Sequence, residues 1–218
     1  MALQNTQQKV ESRYSIQQLE SLKKKSIFYS FIKRTLDIVF ASLAFVISLP
    51  FVLFFIALIK IDSPGPALFI QERVGLNGKI FNIYKLRTMR MDAEINGPQW
   101  ASTDDPRITK LGHFLRKTRI DELPQFVNVL RGDMSLVGPR PERAFFLVKF
   151  NHEVPGFTNR LTVKPGLTGW AQVNGGYELT PKEKLVLDLH YIEHRSIMLD
   201  IRIMFKTIKV VLTGEGAR

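Results

Sequence analysis

Asp121 and Glu122 are adjacent carboxylates set among fixed positive charge: Arg116, Lys117 and Arg119 precede them, Arg131 follows, and Arg140 and Arg143 lie on a proline-rich stretch beyond. A carboxylate attacks phosphorus efficiently only when the target's own negative charge is neutralised. Guanidinium forks and a divalent cation are suited to that task. The pattern therefore offers Asp121 as a nucleophile and Glu122 as a holder of Mg2+, with Arg116, Arg119, Arg140 and Arg143 as candidate phosphate ligands. A blander reading stands beside it. Acidic pairs commonly cap helix starts, where unpaired N–H groups and the helix dipole favour negative charge, and single arginines are commonly solvated surface charge.

Rival chemistries have less to stand on. The four histidines are His113, His152, His190 and His194. The last two have metal-compatible helical spacing but lack a nearby third ligand. There is no cysteine, which excludes disulfides and thiol catalysis. No Gly-x-Ser-x-Gly, Walker A or dinucleotide Gly-x-Gly-x-x-Gly signature appears. Phosphate recognition must come from other loops, and two glycine and proline stretches are available, Val137-Gly138-Pro139-Arg140-Pro141 and Lys164-Pro165-Gly166-Leu167-Thr168-Gly169.

The elements that would carry these residues follow from local signals. Asp105-Pro106 reads as an N-cap followed by proline at the first helical position, with Ile108, Leu111 and Leu115 on one face and an end near Arg119. A second helix starts around Asp121 to Pro124 and stops at Gly132. Upstream, Ala67 to Gln71 and Lys79 to Leu86 read as strands of a hairpin turned by Gly75 and Asn77-Gly78. Helices are expected from about Pro181 to His194 and from Leu199 to Leu212. The apolar stripe of the latter, Ile201, Met204, Phe205, Ile208 and Leu212, suits a core or a lipid interface.

One segment is of a different kind. Ile38 to Ile59 spans 22 positions without a charge, enough for a helix to reach across a hydrocarbon core of about 30 Å. Pro50 removes a backbone hydrogen bond past its middle, so a bend is expected there, with the Ser48 hydroxyl serving a freed carbonyl. Residues 1 to 37 carry seven basic and three acidic side chains, and the remainder 24 and 17. Positive charge on both flanks fits poorly with a simple span. A helix that breaks at Pro50 and returns to the same face removes the conflict, while a kinked single span remains open on these grounds. The polar, glutamine-rich start does not read as a cleaved secretory signal.

Across 218 residues the chain holds 31 Lys and Arg against 20 Asp and Glu, a formal charge of +11. One catalytic domain with appendages and an anionic partner are implied, without a choice among nucleic acid, lipid headgroup and phosphorylated substrate. A basic module that binds nucleic acid or lipid without catalysis would show salt-sensitive binding, but the basic residues lack clustered aromatic stacking partners. An inner-membrane scaffold would need only the apolar run and amphipathic helices.

Six ordered motifs point further: Lys33-Arg34-x-x-Asp37, Asp62-Ser63-Pro64-Gly65-Pro66, Tyr84-Lys85-Leu86-Arg87-Thr88-Met89, Asp121-Glu122-Leu123-Pro124-Gln125, Gly132 to Pro141, and Lys164 to Gly175. With these the chain resembles the bacterial sugar transferases, small monotopic phosphoglycosyl transferases acting on polyprenyl phosphate, from about Lys33 to the C-terminus. The resemblance implies an α+β fold. A polar extension (1–32) precedes a re-entrant, Pro-kinked membrane helix (33–61) and a cytosolic α/β catalytic domain with interfacial amphipathic helices (62–218).

It implies transfer of a sugar-1-phosphate from a UDP-sugar to undecaprenyl phosphate at the cytosolic face of the bacterial inner membrane, with Mg2+. Asp121 would attack the phosphorus next to the sugar, releasing UMP, and Glu122 would bind the metal. Lys85, Arg140 and Asp188 are implied active-site positions, and Lys33 and Arg34 would meet lipid headgroups at roughly 1 kcal/mol each. No nucleic-acid partner is expected, and a homodimer is left open. Leu49 departs from the family's frequent serine before the mid-helix proline.

Overall fold

Ser26 accepts the Tyr29 amide at 3.2 Å and starts α1, Ile27–Asp62, 36 residues long. The structure, a computed structural model, describes residues 26–95, 97–99, 102 and 105–213. The expected polar extension lies outside these as far as residue 25. The helix assignment runs on through Pro50, with helical residues on both sides. Pro50 has no N–H to give, and the Ser48 hydroxyl donates to the Phe45 carbonyl one turn earlier, at 3.1 Å.

The buried residues of α1 are Asp37, Ala41, Ser48, Phe55 and Ile59. At 3.6 residues per turn these five fall within about 40° of one another around the axis, so one narrow stripe faces the protein. Both arms pack on the same body. Ala41 joins Phe81, Ile83, Val129 and Met134, while Phe55 and Ile59 join Ala67, Leu86 and Leu115. Other faces of the apolar run are exposed at Val46, Ile47, Phe51, Leu53 and Phe54.

β1 (Leu68–Val74) and β2 (Ile80–Leu86) form the expected antiparallel hairpin, in register from Leu68↔Leu86 to Val74↔Ile80. The Gly75 amide donates to the Lys79 carbonyl at 2.8 Å across the turn. The next helix, α2, is Lys110–Lys117 and is capped by the Thr109 hydroxyl rather than by Asp105. The early start fails because Asp105 spends its carboxylate on Arg107, and Ile108 is drawn into an antiparallel bridge with Met89.

A 3-10 turn, Ile120–Gln125, leads into α3, Phe126–Arg131, which ends where Gly132 takes a φ of 88°. That left-handed conformation carries no Cβ penalty only in glycine.

Two features had no local signal. β3 (Ser135–Val137) pairs in parallel with β4 (Gly166–Thr168), laying the two glycine and proline loops side by side. The approach is backbone to backbone: a Cβ on Gly166 would sit 2.0 Å from the Gly138 amide nitrogen. Between them runs α4, Ala144–Glu153.

Downstream, α5 (Pro181–His194) begins with a capping box of Thr180 and Glu183, and α6 (Ile197–Thr213) follows. These helices and the 3-10 turn at Phe157–Thr162 enclose the main core, built on Phe150, Phe157, Leu189, Tyr191, Ile192 and Ile203. The expected apolar stripe of α6 is split. Met204 packs inward on that core, but Phe205, Ile208 and Leu212 face outward at 70, 56 and 81% exposure.

Candidate active site

Two elements distant in sequence converge on Glu122. Lys85 from β2 donates to its Oε1 at 2.9 Å, and Arg140 from the loop after β3 engages both of its oxygens. Burial alone would raise the Glu122 pKa, but Arg140 and Lys85 outweigh it and hold the carboxyl well below its ordinary value. Glu122 is thus a fixed anion.

Asp121, its neighbour on the same turn, is 5% exposed. Burial pushes it up to about 6; Lys85 pulls the other way and Glu122 adds to the rise. Arg116 and Arg140 also stabilise its charge. The same side-chain type thus carries two protonation tendencies at adjacent positions, a pattern typical of functional sites.

Asp121, Glu122, Lys85, Arg116 and Arg140 line one cavity of about 570 Å3. Arg116 is steadied by its Nε donating to the buried Thr88 hydroxyl at 2.8 Å. Arg143 lies on the cavity wall, where it forks onto Glu94 at 2.6 and 3.1 Å. Arg119 does not join them. It holds a left-handed conformation (φ 60°) at the join of α2 and the 3-10 turn and lines a different cavity.

Asp188 sits behind the site. It pairs with Arg160 at 2.7 Å, and Arg160 also donates to the Arg140 carbonyl at 2.9 Å. Glu142 and Lys184 complete a buried cluster of two acids and two bases, with Lys184 3.0 Å from Glu142. Burial works against the Glu142 charge, yet Lys184 and Arg160 hold its pKa below the usual value. Glu142, Arg160 and Lys184 lie outside the six sequence motifs, and Thr88 lies within one of them without an assigned role. Only the proximity of Glu142 to Arg140 in the Pro-Arg-Pro-Glu-Arg run hinted at any of them.

Lys33 and Arg34, expected at lipid headgroups, turn inward instead. Lys33 pairs with Asp200 at 2.8 Å, and Arg34 donates to the Val129 and Leu130 carbonyls at 2.6 and 2.8 Å. For Arg34 the attraction is the carbonyl end of α3, the negative pole of that helix, and for Lys33 it is the Asp200 carboxylate. Asp37 accepts from the Ser135 hydroxyl and the Leu136 amide, both at 3.0 Å, tying α1 to β3. His190 and His194 stack on each other with ring centres 4.4 Å apart, and among the described residues no group of three or more metal-ligating His, Asp or Glu side chains occurs.

The family model described as bacterial sugar transferase matches residues 28–214. The chain belongs to that family. It is 48% identical over 88% of its length to "UDP-N-acetylgalactosamine-undecaprenyl-phosphate N-acetylgalactosaminephosphotransferase" of Aeromonas hydrophila, covering 46% of that protein. It is 53% identical over 70% of its length to a "Putative undecaprenyl-phosphate N-acetylgalactosaminyl 1-phosphate transferase" of Bacillus subtilis (strain 168), covering 86% of it. To "UDP-glucose:undecaprenyl-phosphate glucose-1-phosphate transferase" of Escherichia coli (strain K12) it is 41% identical over 81% of its length, covering 39% of that protein. The chain therefore spans less than half of two of these three sugar transferase relatives. Their names specify different sugars.

Proposed function

We propose that this chain transfers a sugar-1-phosphate from a UDP-sugar to undecaprenyl phosphate through a covalent intermediate on Asp121, as a first membrane step of bacterial glycan assembly. The observation that carries the reading is the pairing of a buried, protonation-poised Asp121 with a Glu122 pinned as an anion, both on a cavity large enough for a nucleotide-sugar. The names of the relatives supply the substrate class.

In the first step an Asp121 carboxylate oxygen bonds to the phosphorus bearing the sugar. The bond from that phosphorus to the bridging oxygen breaks, and UMP leaves with the electron pair. Lys85, Arg116 and Arg140 offset the charge gathered around the phosphorus, where water exclusion strengthens each contact. In the second step a phosphate oxygen of undecaprenyl phosphate attacks the same phosphorus and returns Asp121 as a free carboxylate. Two displacements at one centre give ping-pong kinetics.

The carboxylates fit Mg2+, which is commonly held by one or two acidic groups together with substrate phosphates. Glu122 is the candidate ligand, because its Oε2 meets Arg140 only at 3.4 Å and retains lone pairs. Bound there, Mg2+ would neutralise the diphosphate.

For the membrane arrangement we favour a helix that enters and leaves at the cytosolic face. The support is that both arms of α1 are fastened to one body while the apolar residues between them are bare. The outward Phe205, Ile208 and Leu212 suit an interfacial position.

The test is UMP release from purified protein in nanodiscs given a panel of UDP-sugars and no acceptor. Wild type releases about one equivalent and gains the mass of a phosphosugar, and Asp121→Asn does neither. Near-normal turnover by Asp121→Asn removes Asp121 from the nucleophile's role.

A further inference from the structure

A second cavity, of about 320 Å3, lies on the other side of the Glu122–Arg140 pair. Its walls are mainly apolar: Leu123 from the turn that carries the acidic pair, Phe126 at the start of α3, Leu167 from β4, and Met204, Val210 and Val211 from α6. Thr168 and Thr207 share a hydrogen bond of 2.7 Å that ties β4 to α6 along this wall. Glu122, Arg140 and Lys184 line both cavities, so the two adjoin at Glu122, next to Asp121, which lines the first. Arg119, which has no place in the polar cavity, lines this one.

We propose that this cavity seats the proximal isoprenoid chain of the lipid phosphate acceptor, with its phosphate held at the inner end by Arg119 and Arg140. The inference rests on the acceptor class given under the proposed function and adds to it a separate path for the lipid. Two observations select that occupant. The end at Glu122 sets four cations, Arg119, Arg140, Arg160 and Lys184, against that one carboxylate, and the body is apolar, which matches an anionic head on a hydrocarbon tail and mismatches a nucleotide. One wall is α6, and that helix also carries the exposed Phe205, Ile208 and Leu212 on its neighbouring face, a surface suited to lipid beside the cavity.

Donor and acceptor thus reach the phosphorus through different doors. The nucleotide uses the wider and more polar of the two cavities, lined by the hairpin, Arg116 and Asp121. The chain slides in along α6. The side chains bounding the apolar cavity then discriminate among acceptors by chain, and have no role in reading the sugar.

The test fills the apolar cavity without touching the polar one. Val210→Phe and Leu167→Phe are assayed in nanodiscs with undecaprenyl phosphate and with a ten-carbon isoprenyl phosphate. The KM for undecaprenyl phosphate is expected to rise about tenfold or more, the scale set by a methylene-sized misfit in an apolar pocket. The KM for the UDP-sugar should move less than about twofold, and the short acceptor should suffer less than the long one. An unchanged KM for undecaprenyl phosphate, or equal losses with both acceptors, overturns the proposal.

A second measurement on the wild type guards against misfolded variants. Photolysis with a diazirine-bearing polyprenyl phosphate should label residues 199–213 or 118–126, and unlabelled polyprenyl phosphate but not phosphatidylglycerol should compete. Labelling elsewhere, or equal competition by phosphatidylglycerol, also overturns it. Failure of the wild type to release UMP from donor alone would count against the proposed function instead, and the labelling would still report on the cavity.

Discussion

At Asp121 and Glu122 the peptide chain offers two nearly identical acids, and surroundings alone separate them. Glu122 has two cations in direct contact and stays ionised; Asp121 is buried with those charges at its flank and keeps its proton to a higher pH. This has a thermodynamic consequence. Because the folded pKa of Asp121, about 6, lies above its ordinary 3.8, the native state holds a proton that the unfolded chain releases between those values. The contribution of this group to stability therefore falls as pH rises through that window and stays low above it. In metal-free buffer Asp121→Asn should melt at a higher temperature than wild type at pH 8, with the gap closing near pH 4. A variant less stable than wild type at pH 8 would contradict the assigned burial cost. At Thr88 the expectation is kinetic. Thr88→Val removes the hydrogen bond to Arg116, worth about 1.5–3 kcal/mol when one partner is charged, and should lower the rate of UMP release, with a melting-temperature drop of roughly 3–10 °C beside it.

At the scale of elements, polar contacts decide how α1 meets the rest. The Asp37 carboxylate satisfies a hydroxyl and an amide at β3, and Lys33 meets the Asp200 carboxylate, to which the Tyr191 hydroxyl also donates at 2.8 Å. Removing a buried acceptor strands its donors, so Asp37→Ala should cost about 2–4 kcal/mol, read as a lowered midpoint in thermal or denaturant unfolding in detergent. Asp37→Asn, which retains an acceptor oxygen, should lose less. The pairing of β3 with β4 depends on glycine for a different reason. Gly166→Ala drives a methyl into the Gly138 backbone, and neither strand can yield without breaking the ladder. A loss of at least about 3 kcal/mol is expected in the same measurement, with transfer activity lost because the loop that leaves β3 carries Arg140.

For the molecule as a whole, the question is which way the apolar helix runs. The chain contains no cysteine, so single introduced thiols report cleanly. Ser30→Cys and Lys60→Cys sit on exposed positions of the two arms. If α1 re-enters, a membrane-impermeant maleimide labels both in inside-out vesicles and neither in spheroplasts. Labelling from opposite sides would establish a span instead and would place the N-terminal arm away from the catalytic body. That outcome is hard to square with Lys33, Arg34 and Asp37 all gripping that body.

What was local in origin was legible in the sequence: the uncharged apolar run, the hairpin with its Asn-Gly turn, the stop at Gly132, and an acidic pair set among cations. Each depends on periodicity, turn chemistry or neighbours a few residues away. The tertiary structure alone decided which cations reach Glu122, why Asp121 differs from it, that Asp188 stands behind Arg160, and that Lys33 and Arg34 face inward. It also brought the two glycine loops into a parallel pair and moved the start of α2 from Asp105 to Thr109. The cause is common to these cases. Burial and long-range partnership set the energy of a polar group, and Lys33 finds its partner 167 residues away; no window of sequence contains that distance.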